Sequence, residues 1–267
     1  MTPILAFDIE TVPDIAGIRR LHELPAALSD QEVAEVAFQK RRAQNGSDFL
    51  ALHLHRVVVI SCVLRDADGL RIFSIGEPER DERASIQKFY DGIEKYSPQL
   101  VSWNGGGYDL PVLNYRGLIA GVAAPRFWEQ GDEDRDFRYN NYVSRYHGRH
   151  LDLMDVLAMY QPRNNAPLDD VAQLAGLPGK IGIGGAAVWP AYQAGKLVDI
   201  RNYCEADALN TYLLYLRFQR QRGAYTGEHC AREAQLVRAT LERLTKEAPA
   251  PHWREFLERW RETPLSP

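Results

Sequence analysis

Apolar residues cluster in four short stretches of the N-terminal half. Residues 4–9, ILAFDI, read as a strand, and residues 56–64, RVVVISCVL, read as a second that is mostly β-branched. Residues 70–75 make a third strand, joined to the second by the turn DADG, a spacing that predicts a hairpin. A fourth, short strand covers 100–103. Between the third and fourth lies ERASIQKFYDGIEKY, with Ile86, Phe89, Tyr90 and Ile93 at helical spacing. From Asp109 onward the period turns mostly helical. Residues 110–120, 168–177 and 196–220 each read as a helix. The second has Asp169 and Asp170 in its first turn, where carboxylates suit the helix dipole. Residues 130–150, rich in charge, Tyr and Asn, and residues 176–185, GLPGKIGIGG, read as loops. This order predicts an α/β fold, a mixed β-sheet flanked by helices. After Arg222 the chain becomes rich in Arg and Glu. There HWREFLERW puts Trp253, Phe256, Leu257 and Trp260 on one helical face, as a helix packed on the main body would. The expected organisation is a main domain, 1–222, and a C-terminal helical extension, 223–267.

Two carboxylates break the first apolar run. In LAFDIETVPD, Asp8 and Glu10 are two apart on a strand and so project to the same side. Like charges side by side near a core are costly unless that end of the strand is solvated or a cation lies between them. A second acid follows the fourth strand in VSWNGGGYDLPVL. Asp109 there is either an N-cap, with Pro111 in the first helical turn, or a functional carboxylate. A third lies in NYCEADALNTYLLYLR, where Tyr203 and Asp207 are four apart on one helical face that also carries apolar residues. Asp207 alone would be explained by a salt bridge to an arginine. Taken together, the segments offer four hard oxygen ligands, which suit Mg2+ or Mn2+ better than zinc. Four carboxylates around two such ions are equipped for in-line attack of water on a phosphodiester.

The net charge of −4 over 267 residues gives no global nucleic-acid signal, but a nucleic-acid enzyme needs only a local basic track. Cys62, Cys204 and Cys230 form neither a disulfide framework nor a zinc spacing, which predicts a reducing, cytoplasmic setting. The longest apolar run, 57–64, is far short of the roughly 20 residues of a bilayer span. The first strand begins within a few residues of Met1, so neither a signal peptide nor a membrane partner is expected.

The three acidic segments resemble the ExoI, ExoII and ExoIII motifs of the DEDD 3′–5′ exonucleases, whose fold is ribonuclease H-like. Tyr203, four residues before Asp207, is similar to the tyrosine of the DEDDy branch; Asn202 stands where the DEDDh branch has its histidine. HRVVVISCV, LDLMDVL, LPGKIGIGG and YCEADALNTYLLYLR resemble the stand-alone, polymerase-B-like 3′–5′ exonucleases predicted in bacteria, and the likeness covers residues 4–220. It implies two divalent cations, Mg2+ or Mn2+, with Asp8 bridging them. Glu10 and Asp207 would complete the site of the ion that activates water, Asp109 would hold the second, and Tyr203 would orient the water. It implies hydrolysis from DNA 3′ ends, with single-stranded DNA as partner, by an exonuclease without a polymerase. An exoribonuclease acting on RNA 3′ ends and a non-catalytic nucleic-acid-binding module are the alternatives. A structural protein whose acids are caps and salt bridges is a third.

Thr11, Asn104 and Lys180 are candidates for further substrate contacts. Their ordinary explanations are a strand-end hydrogen bond, an Asx turn and a solvated lysine. Arg138 and Arg145, with Arg149 and the tyrosines of 130–150, offer a basic, aromatic track for a single strand, or else a solvated loop. Asp152 and Asp155 match the pattern of the family, Asp155 also suiting a helix cap.

Overall fold

The computed structural model describes residues 2–75, 81–247 and 250–261; the last residues of the expected extension, 262–267, lie outside them. The chain begins with strand β1 (Ile4–Pro13), helix α1 (Ile15–Leu21) and helix α2 (Asp30–Asn45). The hairpin β2 (His55–Asp66) and β3 (Gly69–Ser74) follows, then α3 (Glu82–Tyr96), β4 (Gln99–Ser102), α4 (Asp109–Ala120) and α5 (Pro125–Trp128). After these come β5 (His150–Asp152), α6 (Leu153–Leu157), α7 (Leu168–Leu174), α8 (Val188–Gln193) and the long α9 (Leu197–Gln221). Helices α10 (Gly227–Glu247) and α11 (Pro251–Arg259) end the described chain.

Among the described residues, five strands form one sheet in the order β3-β2-β1-β4-β5. β1 and β3 are antiparallel to β2, while β4 is parallel to β1 and to β5. This is the mixed sheet flanked by helices that was expected, and it agrees with a ribonuclease H-like fold. The alternation of β1 explains the layering. Leu5, Phe7 and Ile9 pack with Ile86 and Phe89 of α3 and Leu110 and Leu113 of α4. Ile4 and Ala6 face the other way, onto Leu209, Leu213 and Leu216 of α9. Further along, Val12 packs with Ile200 and Tyr203, so α9 runs back along β1 in the opposite sense.

The hairpin turns at Ala67 and Asp68, and the predicted apolar face of α3 is buried. Other expectations need correction. The helix predicted over 168–177 stops at Leu174, because Gly176 takes a positive φ of 74°. The stretch 130–150 contains a 3-10 turn at Arg135–Phe137, and its Phe137 and Tyr142 are core residues. β5 was not predicted, since three residues carry no period. α2 was missed because it buries only Val33, Ala34 and Ala37; its capping box, Ser29 with Glu32, was the legible signal.

The helices after Arg222 share the main core. Trp253, Phe256 and Trp260 belong to the same buried cluster as Ile4 and Ala6, and Leu257 packs against it. His252 Nε2 lies 3.1 Å from Glu205 Oε2, and Ser74 Oγ donates to Glu205 Oε1 at 2.7 Å, so α11 and β3 brace α9 between Tyr203 and Asp207. No helix among the described residues is long and apolar enough to cross a membrane.

One ion-pair cluster ties the layers together. Arg116 on α4 donates to Glu82 through Nε (2.9 Å) and Nη2 (2.7 Å), and to Asp14 through Nη1 (2.5 Å). All three side chains are largely buried, at 9%, 13% and 15% exposure. Glu82 also accepts the Val57 N–H at 2.8 Å, and Asp14 caps α1. Arg116→Met would leave two carboxylates without a counter-charge, a loss of about 3–5 kcal/mol. The expected result is a melting temperature lower by roughly 10 °C. A change of only a degree or two would show that solvent reaches this cluster freely.

Candidate active site

The difference in length between β1 and β4 creates the site. β4 pairs with β1 only from Ile4 to Ala6. Beyond that, β1 continues with one edge open, and the Ile9 N–H there needs an acceptor. Asp109 Oδ1 supplies it at 3.1 Å, across 100 residues of sequence. Asp109 is the first residue of α4 and not its N-cap; that position is Tyr108, which makes no side-chain cap bond. The N-cap explanation of Asp109 is therefore replaced by a tertiary one. Asp8 and Glu10 continue the side of β1 that Ile4 and Ala6 turn toward α9. The register of β1 against β2 shifts between Glu10 and Thr11, which ends the regular ladder at this point.

The turn before α4 is held from outside. Asn104 has a φ of 66°, and a Cβ on Gly105 would lie 2.3 Å from Ser102 Oγ, so that position admits only glycine. The Asp152 carboxylate accepts the N–H groups of Asn104 (2.9 Å) and Gly106 (2.8 Å). Asp152 is also the N-cap of α6, accepting from Asp155 N–H at 3.3 Å. The cap is thus Asp152, while Asp155 receives the Arg145 guanidinium.

α9 closes the other side. Tyr203 is buried one turn before Asp207, near enough for its hydroxyl to hold the Asp207 carboxyl down. Cys204 Sγ donates to the Asp8 carbonyl at 3.3 Å, and ligand atoms of Asp8, Glu10 and Cys204 lie within 4.8 Å of one another. Sequence reasoning passed over Cys204, although it neighbours Tyr203 in the same helical turn. Burial, and then Asp8 and Glu10, push its thiol well above the ordinary range, so it stays protonated.

The four carboxylates feel one another. Burial, then Asp109, Glu10 and Asp207, hold Asp8 well above the usual carboxyl range. Burial, then Asp207 and Asp109, do the same to Glu10, against a lowering effect of Lys180. Burial pushes Asp109 up to about 7 against the hydrogen bond from Ile9. Burial likewise pushes Asp207 up to about 7, against the Tyr203 hydroxyl and Lys180. No arginine forms an ion pair with any of the four among the described residues, so the salt-bridge explanation of Asp207 does not hold. Uncompensated, hard oxygen donors of this number fit divalent cations.

These shifts have a consequence for stability. Carboxyls with pKa values raised by folding bind more protons in the native than in the unfolded chain, so stability falls as pH rises through the native values. His55 and His150, which burial holds below their ordinary range, act in the opposite sense, but only below about pH 6.5. In EDTA the melting temperature should therefore drop by several degrees between about pH 6.5 and pH 8.5, and Mg2+ should restore most of it at the higher pH. A flat profile in EDTA would mean that the acids do not interact as described.

The remaining candidates separate by place. The Thr11 hydroxyl lies 2.5 Å from Tyr108 Oη and 2.8 Å from His55 Nδ1, beside both Glu10 and Asp109. The exposed Phe49 ring covers His55 and Tyr108 at 5.3 and 5.5 Å. The Asn104 carbonyl accepts from Gly107 and Tyr108, so this residue shapes the turn. Lys180 is exposed, with Nζ 6.0 Å from the Tyr203 ring, and its N–H is fixed by Asp169 Oδ1 at 2.6 Å. Arg145 lines a small cleft with Asn104 and Gly106. Arg138 is exposed beside Tyr139. The rest of 130–150 anchors at the start of β4, away from the acids: Tyr142 Oη donates to the Pro98 carbonyl at 2.7 Å, and Gln99 Nε2 to that of Gly148. Arg149 is engaged by the Asn140 carbonyl and the Phe137 ring.

Residues 47–260 match a protein family described as "Predicted 3'-5' exonuclease related to the exonuclease domain of PolB". Asp109, Lys180, Tyr203 and Asp207 fall inside this range, while Asp8 and Glu10 precede it. A DNA polymerase of Archaeoglobus fulgidus is 25% identical over 161 residues, which make up 59% of this chain and 19% of the polymerase. The chain thus spans under a fifth of that relative's length. With four-fifths of its residues inside the family match, the chain belongs to the family of predicted 3′–5′ exonucleases related to the exonuclease domain of polymerase B.

Proposed function

We propose that this protein is a DEDDy-type, metal-dependent 3′–5′ exonuclease that removes nucleotides from single-stranded DNA 3′ ends. The observation that carries this is the convergence of Asp8, Glu10, Asp109 and Asp207, from three separate elements, with Tyr203 beside them and, among the described residues, no arginine paired with them. Two divalent cations, Mg2+ or Mn2+, held by these four carboxylates would stabilise charge on the scissile phosphate and lower the pKa of the attacking water.

The chain's own groups do the positioning. Burial, then Asp207 and Glu10, push the Tyr203 phenol above its ordinary value, so it does not act as a base. Its oxygen, kept protonated beside Asp207, has lone pairs that accept from a water and orient it. Lys180 supplies a positive charge to a phosphate oxygen from the glycine-rich loop. Thr11 and Asn104 stand where the terminal nucleotide would enter, and Arg138 and Arg145 would meet the strand further out. Residues 1–222 carry the chemistry, and within the extension 223–267 the helices α10 and α11 brace α9 from behind. The three buried, free thiols suit a reducing, cytoplasmic setting.

The test is digestion of 5′-labelled single-stranded DNA, duplex DNA with a mismatched 3′ end, and RNA, each with Mg2+, Mn2+ or EDTA. A ladder shortening from the 3′ end of DNA, absent in EDTA, is expected. Faster shortening of RNA would transfer the activity to RNA ends, and intact substrates throughout would leave a binding module.

A further inference from the structure

A cleft of about 980 Å3 opens just past the acids, with Val12 and Pro13 in its lining. A strand rises about 3.3 Å per residue, so these residues lie roughly 7–10 Å beyond Glu10. One wall is α1 and the start of α2, which precede residue 47 and so lie outside the family match. The opposite wall is α8.

Helix α8 presents Trp189 and Tyr192, stacked 6.0 Å apart with 18° between their planes. Both pack on the apolar cluster that contains Tyr203 and Cys204, so this aromatic wall and the acid site rest on the same support. Four arginines line the cleft, and two of them are answered. Arg116 is held by Asp14 and Glu82, and Arg19 by the carbonyls of Pro25 and Leu28, with Asp30 at 3.5 Å. The other two differ. Arg56 donates to the neutral Tyr192 hydroxyl at 3.1 Å, and Arg20, exposed, has no partner among the described residues. Glu23 is the one acid on the cleft, among the described residues, without an ionic partner. The balance favours an anion, and guanidinium groups beside flat aromatic faces suit a ligand that alternates phosphates and bases.

We propose that this cleft receives the single strand upstream of the 3′ end, with backbone phosphates toward Arg20 and Arg56 and a base against the Trp189–Tyr192 pair. It rests on the exonuclease reading, since it names the path by which that substrate reaches the acids. Stacking and backbone charge together make such a path tolerant of sequence.

Binding of a labelled, single-stranded DNA 12-mer, followed by fluorescence anisotropy in EDTA across a salt series, tests it without any turnover. Arg20→Ala and Arg56→Ala should each weaken binding several-fold and reduce the slope of log affinity against log salt by about 1. Trp189→Ala should raise Kd roughly 5- to 100-fold, and Trp189→Phe should recover most of that. Arg243→Ala, on the far surface of α10, should change nothing. Arg20 is exposed, so its variant folds even if Trp189→Ala does not. Kd values within twofold of wild type for Arg20, Arg56 and Trp189 variants, or no binding by the wild type, would overturn the proposal. A wild type that binds with this dependence but never hydrolyses the strand would uphold the path and remove the exonuclease reading.

Discussion

Asp8→Ala should abolish nearly all hydrolysis and, without metal, should melt at a higher temperature than the wild type. Both effects come from one cause. Three other acids act on Asp8, and its carboxyl is held up first by burial and then by Asp109, Glu10 and Asp207. In the metal-free protein at neutral pH this arrangement is repulsive, and removing one charge relieves it. About 1 kcal/mol of relief corresponds to a rise of roughly 2–4 °C in a chain of this size. The same deletion removes the carboxylate that feels all three of the others, so cations lose a shared ligand. Wild type should gain stability with Mg2+ or Mn2+ in proportion to the logarithm of concentration above Kd, and the variant should gain little. An inert structural acid would do the reverse, since its loss lowers the melting temperature and leaves activity alone. A variant that kept more than a small fraction of turnover, or the full melting shift with Mg2+, would remove Asp8 from the centre of the site.

The parts of this site legible in the sequence are those set by local period. Alternation puts Asp8 and Glu10 on one side of β1, and a four-residue spacing puts Tyr203 and Asp207 on one side of α9. What was not legible is set by differences between distant elements. The open edge beside Ile9 exists because β4 is shorter than β1, and β4 is near the lower limit of what a strand pattern can reveal. Asp109 fills that edge from 100 residues away, and Asp152 fixes the glycine turn from nearly 50, so neither partner could be read from neighbours in sequence. Charge was a partial guide to location. Of the arginines of 130–150 that stand out in the sequence, Arg149 is engaged within the fold, while Arg145 pairs with Asp155 and stays half exposed. Arg20 and Arg56, unremarked in the sequence, border the open cleft. The division after Arg222 follows composition, whereas Trp253 and Phe256 enter the central core, because a shift in surface charge says little about what a helix buries.

Tyr203→Phe should lower the rate constant on saturating single-stranded DNA by 10- to 1000-fold, about the range for losing one polar group near a reacting atom. The ring remains, so its packing with Val12 and Ile200 and the seat of α9 on β1 are kept. Only the hydroxyl is lost, and with it two effects. It holds the Asp207 carboxyl down, and its oxygen is the group proposed to hold the attacking water. Loss of the first effect lets the Asp207 carboxyl drift further upward, since the Tyr203 hydroxyl is the first of the influences that lower it. An Asp207 with a higher pKa binds a cation less well at low pH, so the pH profile of the variant should shift toward the alkaline side. A water left without its acceptor should instead depress the rate at every pH. The two contributions can therefore be separated by measuring turnover from about pH 6.5 to pH 9 with excess Mg2+: a uniform loss assigns the effect to orientation of water, and a loss confined to the acid limb assigns it to Asp207. A tyrosine that is only part of the core would behave otherwise, with unchanged turnover at every pH and a modest loss of stability, about 1 kcal/mol, from the missing hydrogen bond.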